Sequence, residues 1–138
     1  MTNDRALRDR SIRTLAWLGD GEFEREVRLR LVRRGDYSTD RLDKMRAKIV
    51  NAQAQALLLA ELLERLDETE KGVVRRGRNA APRGSGRGSG GVREYRAATG
   101  LEALVAWWLL GDLRSRFDEL IVPAIEARID ALLLVERG

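Results

Sequence analysis

The 138-residue chain contains no cysteine and no histidine. Without cysteine, disulfides and thiolate metal sites are excluded. Without histidine, Ser-His and Cys-His nucleophile pairs and the HExxH zinc site are excluded as well. No GxxxxGK[ST] stretch occurs, so there is no P-loop to cradle a nucleotide phosphate. No apolar run approaches the ~20 residues that a membrane helix needs. The first residues, MTNDRALRDRSIR, are polar and charged, unlike a secretory signal, so the expectation is a cytoplasmic protein with no membrane partner. Side-chain chemistry is thereby narrowed to carboxylates working with a hard cation, or to Lys and Tyr. Lysine itself is scarce: Lys44, Lys48 and Lys71 are the only three.

What the chain does contain suits a soluble globular protein, with 43% hydrophobic and 35% charged residues. Its length fits one domain over residues 1–138 and is short for two. The net charge of +4 is unevenly placed. Residues 75–96 carry seven arginines and one glutamate, a local +6, which leaves −2 for the rest. Arginine is the better fork for phosphate oxygens.

The apolar pattern is helical nearly throughout. Ile12, Leu15, Gly19, Phe23, Val27 and Leu31 recur at spacings of three and four, which predicts a helix from about Arg8 to Arg34. Ser38 or Thr39 then caps a second long helix with the stripe Leu42, Met45, Ile49, Ala52, Ala56, Ala60, Leu63 and Leu66. DETE opens a short third helix that carries Val73 and Val74. The stretch RRGRNAAPRGSGRGSGG follows, read here as a basic loop over residues 75–92. A further helix begins near Arg93 and includes ATGLEALVAWWLL, where Trp107 and Trp108 continue an apolar run. Pro123 suits the first turn of a last helix over 121–138, an accessory to the core with the stripe Val122, Ile125, Ile129 and Leu132. The expected fold class is all-α.

Two acids occupy unusual positions. Glu102 is the only charge between Ala97 and Gly111, so it lies on or beside a buried face and needs a partner or a metal. Asp20 sits between Gly19 and Gly21 in a helical stretch that all three weaken. The glycines would let a backbone or a ligand come close. Taken singly, either acid also reads as structural, Glu102 on a solvent-facing side and Asp20 as the cap of a helix that starts there. Taken together, with the arginine-rich segment, they are the parts of metal-assisted phosphodiester hydrolysis.

Four ordered blocks carry a resemblance. They are Ala16-Trp17-Leu18-Gly19-Asp20, Ala52-Gln53-Ala54-Gln55-Ala56, Arg75 to Ala80, and Tyr95 to Leu104. Over about Leu15 to Leu113 the chain resembles the ribonuclease III family, most closely its short Mini-ribonuclease III form, which lacks a double-stranded-RNA-binding domain. Where full-length members have two glutamates and an aspartate, this chain has Arg13, Ala16 and Thr99. The short form shares the Ala and the Thr. Glu22 and Glu26 stand where apolar or aromatic residues are expected; they are either solvent-facing or part of an enlarged acid cluster.

The resemblance implies a Mg²⁺-dependent endoribonuclease that cleaves double-stranded RNA, with Mn²⁺ as an alternative ion and precursor large-subunit (23S) ribosomal RNA as substrate. It implies that Asp20 and Glu102 are the catalytic metal ligands. Arg75, Arg76, Arg78, Asn79, Arg83, Arg87, Arg93 and Arg96 are expected to contact RNA. Trp17 is expected at the interface of a symmetric homodimer. The competing readings are a non-catalytic RNA-binding or ribosome-associated protein on the same fold, and an all-α assembly module whose acids are structural.

Overall fold

The computed structural model describes residues 4–81 and 91–137, with side chains up to 135. Among these residues every regular element is helical and no strand occurs. A 3₁₀ segment, Asp4–Asp9, precedes α1 (Ile12–Arg34), α2 (Thr39–Val50), α3 (Ala52–Leu62), α4 (Glu68–Ala80), α5 (Gly91–Leu110), α6 (Arg114–Leu120) and α7 (Val122–Arg137). None of the described helices is long and apolar enough to cross a membrane.

α5 is the axis of the fold, packed most closely on α1, then on α4 and α3. Its sequence explains why. Ala97, Ala98, Gly100, Leu101, Ala103, Leu104, Val105, Ala106, Trp108 and Leu110 are all buried. A helix that is apolar nearly all round has to be enclosed by others. On α1 the stripe Leu15, Gly19, Phe23, Val27 and Leu31 is buried as its spacing predicts. Trp108 is fully buried, whereas Trp107 is half-buried under the Arg8 guanidinium, 3.7 Å from its ring.

The structure departs from the sequence pattern in four places. The second long helix is two helices. Asn51 is extended (φ −68°, ψ 162°), and its side-chain oxygen accepts from Ala54 N, so it ends α2 and caps α3. The break shifts the buried stripe to Gln55, Leu58, Leu59 and Leu62, and Ala60 is exposed. Second, both ends of the segment read as a basic loop over 75–92 are helical, because residues 75–80 complete α4 and Gly91 opens α5. Gly77 does not break α4; it lies against Gly100, where a side chain on either would meet the other helix. Third, α6 is an additional short helix that the apolar pattern does not announce.

The fourth departure concerns α7, which starts at Val122 with Pro123 in its first turn but is no accessory. Ile125 and Ile129 are fully buried in the main core, and Arg34 of α1 pairs with Glu126 and Asp130 at 2.8 Å each. Glu26 of α1 hydrogen-bonds to Arg30 at 2.9 Å and to Arg114 of α6. Burial alone would raise the Glu26 carboxyl, but hydrogen bonds and charge from Arg114 and Arg30 hold it below the ordinary carboxylate range.

Candidate active site

The site is built where α1 crosses α5. A side chain at Gly19 would run into the backbone carbonyl of Glu102, so only glycine permits this approach. α1 runs unbroken through Gly19-Asp20-Gly21, which excludes Asp20 as the cap of a helix starting there. Gly21 by contrast faces open space. The close crossing brings the carboxyl of Asp20 to that of Glu102. Burial first, then the charge of Asp20 and a hydrogen bond shared with it, push the Glu102 carboxyl up to about 8. Glu102 is therefore not a solvated surface acid.

One neutral group opposes that rise. The Gln55 side-chain amide, on α3, donates to Glu102 Oε2 at 3.3 Å and to the Val50 carbonyl at 2.9 Å. Gln55 lies within the second of the four sequence blocks, but nothing in its spacing marks it as part of the site. The only sequence signal is a polar residue at a helical step before Leu58, Leu59 and Leu62, and the break at Asn51 hides it by shifting the stripe.

Asp20 and Glu102 line a cleft of about 280 Å³ together with Arg13, Ala16, Trp17, Tyr95 and Thr99. Tyr95, Thr99 and Glu102 share one face of α5, at steps of four and three. The Thr99 hydroxyl donates to the Tyr95 carbonyl at 3.0 Å, and its lone pairs remain available. Trp17 is 80% exposed at the rim, unusual for so large an aromatic ring.

Of the arginines only Arg13 lines this cleft among the described residues; the described ones of the basic segment lie on the end of α4 and the start of α5. Arg75, Arg76, Arg78 and Asn79 are exposed on the last turns of α4. Arg78, Arg93 and Arg96 meet around one surface hollow with Val92. The C-terminal carbonyls of α4 are held by two arginines. Arg13 donates to Ala80 O at 2.8 Å and Arg96 donates to Arg78 O at 2.9 Å. Cations are favoured at that end of a helix. Arg96 lies about 9 Å before Glu102 along α5 at 1.5 Å per residue. Arg83 and Arg87 lie outside the described residues.

Comparison with known proteins gives the geometry a family. A profile of the ribonuclease III domain matches residues 13–112, which include both acids. The chain belongs to the ribonuclease III family. It is 40% identical to the Mini-ribonuclease 3 of Symbiobacterium thermophilum, over 91% of this chain and 90% of that protein. It is 37% identical to the Mini-ribonuclease 3 of Brevibacillus brevis, over 80% of this chain and 81% of that protein. A crystal structure of a Fusobacterium nucleatum protein superposes with a TM-score of 0.78 at 31% identity, covering 88% of this chain and 96% of the other. By its relatives, the chain falls in the Mini-ribonuclease 3 group.

Within this ribonuclease III fold, the three departures from the full-length pattern gather in one place. Arg13, Ala16 and Thr99 all line the cleft of Asp20 and Glu102. The other two unexpected acids do not line that cleft. Glu26 is turned to Arg30 and Arg114. Glu22 lines a separate hollow together with Asp20 and Trp17. Among the described residues no group of three or more acids is placed to hold a metal ion, and Asp20 and Glu102 are the two acids that line the cleft.

Proposed function

We propose that this protein is a divalent-metal-dependent endoribonuclease that cuts double-stranded RNA as a homodimer, with Mg²⁺ as the ion and precursor 23S ribosomal RNA as the substrate. The observation that carries the reading is the forced proximity of Asp20 and Glu102. Two carboxyls this close share a proton unless a cation replaces it, and Glu102 is raised to about 8 for that reason as well as by burial. Both donors are oxygen, which suits a hard ion. Asp20 and Glu102 would hold it, and the remaining ligands would be water and RNA phosphate. When bound, the cation supplies charge neutralisation at the phosphate and activation of the attacking water.

The chain's own residues supply the rest. Arg78, Arg93 and Arg96 hold backbone phosphates and set where the duplex lies, with Arg75, Arg76, Asn79, Arg83 and Arg87 extending the same basic region. Duplex RNA is recognised mostly through phosphates and 2′-hydroxyls, so interactions of this kind carry little sequence information. Hydrolysis adds water across the P–O3′ bond and leaves a 5′-phosphate and a 3′-hydroxyl. No side-chain nucleophile is required, in keeping with a chain that lacks cysteine and histidine.

The dimer rests on Trp17. Its exposed ring at the cleft rim is an apolar surface that a second copy would cover. A twofold pair also presents two acid sites to the two strands of one duplex. The test is incubation of the purified protein with duplex and with single-stranded RNA, with Mg²⁺ or with chelator, followed by mapping of the product ends. Cutting of the duplex alone, only with Mg²⁺, at 5′-phosphate ends is expected. Binding without cutting in Mg²⁺ would favour the non-catalytic RNA-binding reading.

A further inference from the structure

Four polar or charged side chains are buried among the described residues: Glu26, Arg30, Glu70 and Gln55. The first three belong to ion pairs that join helices, Arg30 with Glu126, Glu26 with Arg114 and Glu70 with Arg116. Gln55 is different. It is 2% exposed and occupies a position on α3 where a leucine would continue the apolar face of Leu58, Leu59 and Leu62. Its Nε2 spends one proton on the Val50 carbonyl and one on Glu102 Oε2. Both partners are acceptors, which fixes the amide with nitrogen towards them. Its Oε1 is then left buried with no partner, a cost that a leucine would avoid.

The Val50 carbonyl is itself a product of the break at Asn51. As the last carbonyl of α2 it has no helical N–H to receive. The break is held on both sides, Asn51 Nδ2 donating to Ala47 O at 3.0 Å and Asn51 Oδ1 accepting from Ala54 N at 2.8 Å. A rigid backbone kink thus anchors the amide, and the amide reaches the candidate metal ligand.

We propose that Gln55 is a positioning residue for the acid pair: anchored on the Val50 carbonyl, its amide fixes the Glu102 carboxylate in the orientation that faces Asp20. This inference rests on the reading of Asp20 and Glu102 as cation ligands. A hydrogen-bonded outer partner of a ligating carboxylate sets its orientation and its readiness to bind. The unpartnered Oε1 is the counterpart of spending both amide protons on the other side.

The experiment compares the full-length wild type with Gln55→Met, which keeps the length and removes the donor, and with Glu102→Gln. Mn²⁺ binding is followed by electron paramagnetic resonance without RNA, and cleavage is followed at saturating Mg²⁺. Gln55→Met is expected to weaken Mn²⁺ binding about 10-fold. Its kcat should fall while KM for the duplex changes less than about twofold, the mark of an effect on the chemical step rather than on RNA binding. A second reading needs no Gln55 variant. In nuclear magnetic resonance spectra of the wild type, the Gln55 side-chain amide protons should exchange slowly and should shift in Glu102→Gln. Mn²⁺ affinity and kcat equal to wild type in a folded Gln55→Met protein would overturn the proposal. So would freely exchanging amide signals that ignore Glu102→Gln. If wild type and Glu102→Gln bind Mn²⁺ equally, the cation-site reading itself fails and the proposal falls with it. That outcome is distinct from loss in Glu102→Gln with none in Gln55→Met.

Discussion

A metal-free preparation should lose stability as pH rises through the neutral range, and Glu102 should be the cause. The Glu102 carboxyl is raised from 4.5 to about 8, by burial first and then by Asp20. Between those values the folded chain binds a proton that the unfolded chain has released. The corresponding stability is complete below pH 4.5 and is lost as pH rises through about 8. At about 1.4 kcal/mol per pH unit the loss reaches about 5 kcal/mol. That is an upper bound, because water entering the cleft would soften the penalty. No other side chain ordinarily titrates in this window, since the chain has no histidine or cysteine. Glu26 and Glu70, whose arginine partners outweigh burial and hold them low, act at the other end: their stability is present above the ordinary carboxylate range and lost as pH falls. The assay is urea unfolding in chelator at about pH 5.5, 7 and 8.5, following helicity. Glu102→Gln should flatten the slope, and Asp20→Asn should reduce it only in part, because burial remains. Added Mg²⁺ should stabilise the wild type increasingly from about pH 6 upward, as a ligand that takes the ionised form. Equal stability at about pH 5.5 and 8.5, or an unchanged slope in Glu102→Gln, would mean that Glu102 does not hold its proton in the folded chain.

Three further outcomes are expected. Gly19→Ala should destabilise by about 1–3 kcal/mol or more, because its side chain would meet the Glu102 carbonyl. Gly21→Ala, facing open space, should stabilise by about 0.5–1 kcal/mol, and thermal melts of the pair check both signs. Trp17→Ala should weaken self-association by at least about 2 kcal/mol, about 30-fold in dissociation constant, as read by sedimentation; a wild type that sediments as a monomer at micromolar concentration would contradict the dimer. Replacing Arg83 and Arg87 with Ala should weaken duplex binding and make log K less steep against log[salt], by up to about 1 for each phosphate no longer neutralised. Affinity and slope equal to wild type would mean that the duplex is held elsewhere.

The all-α fold is legible in the sequence because burial on α1 follows the helical spacing of Leu15, Gly19, Phe23, Val27 and Leu31. Asp20 and Glu102 stand out for a related reason: an acid between two glycines, and an acid alone in an apolar helix, are both local costs. Their meeting is not readable from spacing, since it depends on a close crossing of two distant helices at Gly19. The break at Asn51 escapes the pattern because Asn is tolerated within helices, and here its own side-chain bonds decide in favour of a cap. The same break conceals Gln55. The segment from Arg75 to Ala80 reads as loop because of Gly77, whereas the missing side chain there is what lets α4 lie against Gly100 of α5.

On the proposed function, Asp20 and Glu102 together make the site that cuts RNA. The most direct measurement is single-turnover cleavage of one RNA duplex in Mg²⁺ by wild type, Asp20→Asn and Glu102→Gln, each shown to be folded by its helicity and melt. Each substitution removes one carboxylate with little change in volume. Cleavage by the wild type and none by either variant is the predicted result; wild-type rates in Asp20→Asn or Glu102→Gln would contradict it.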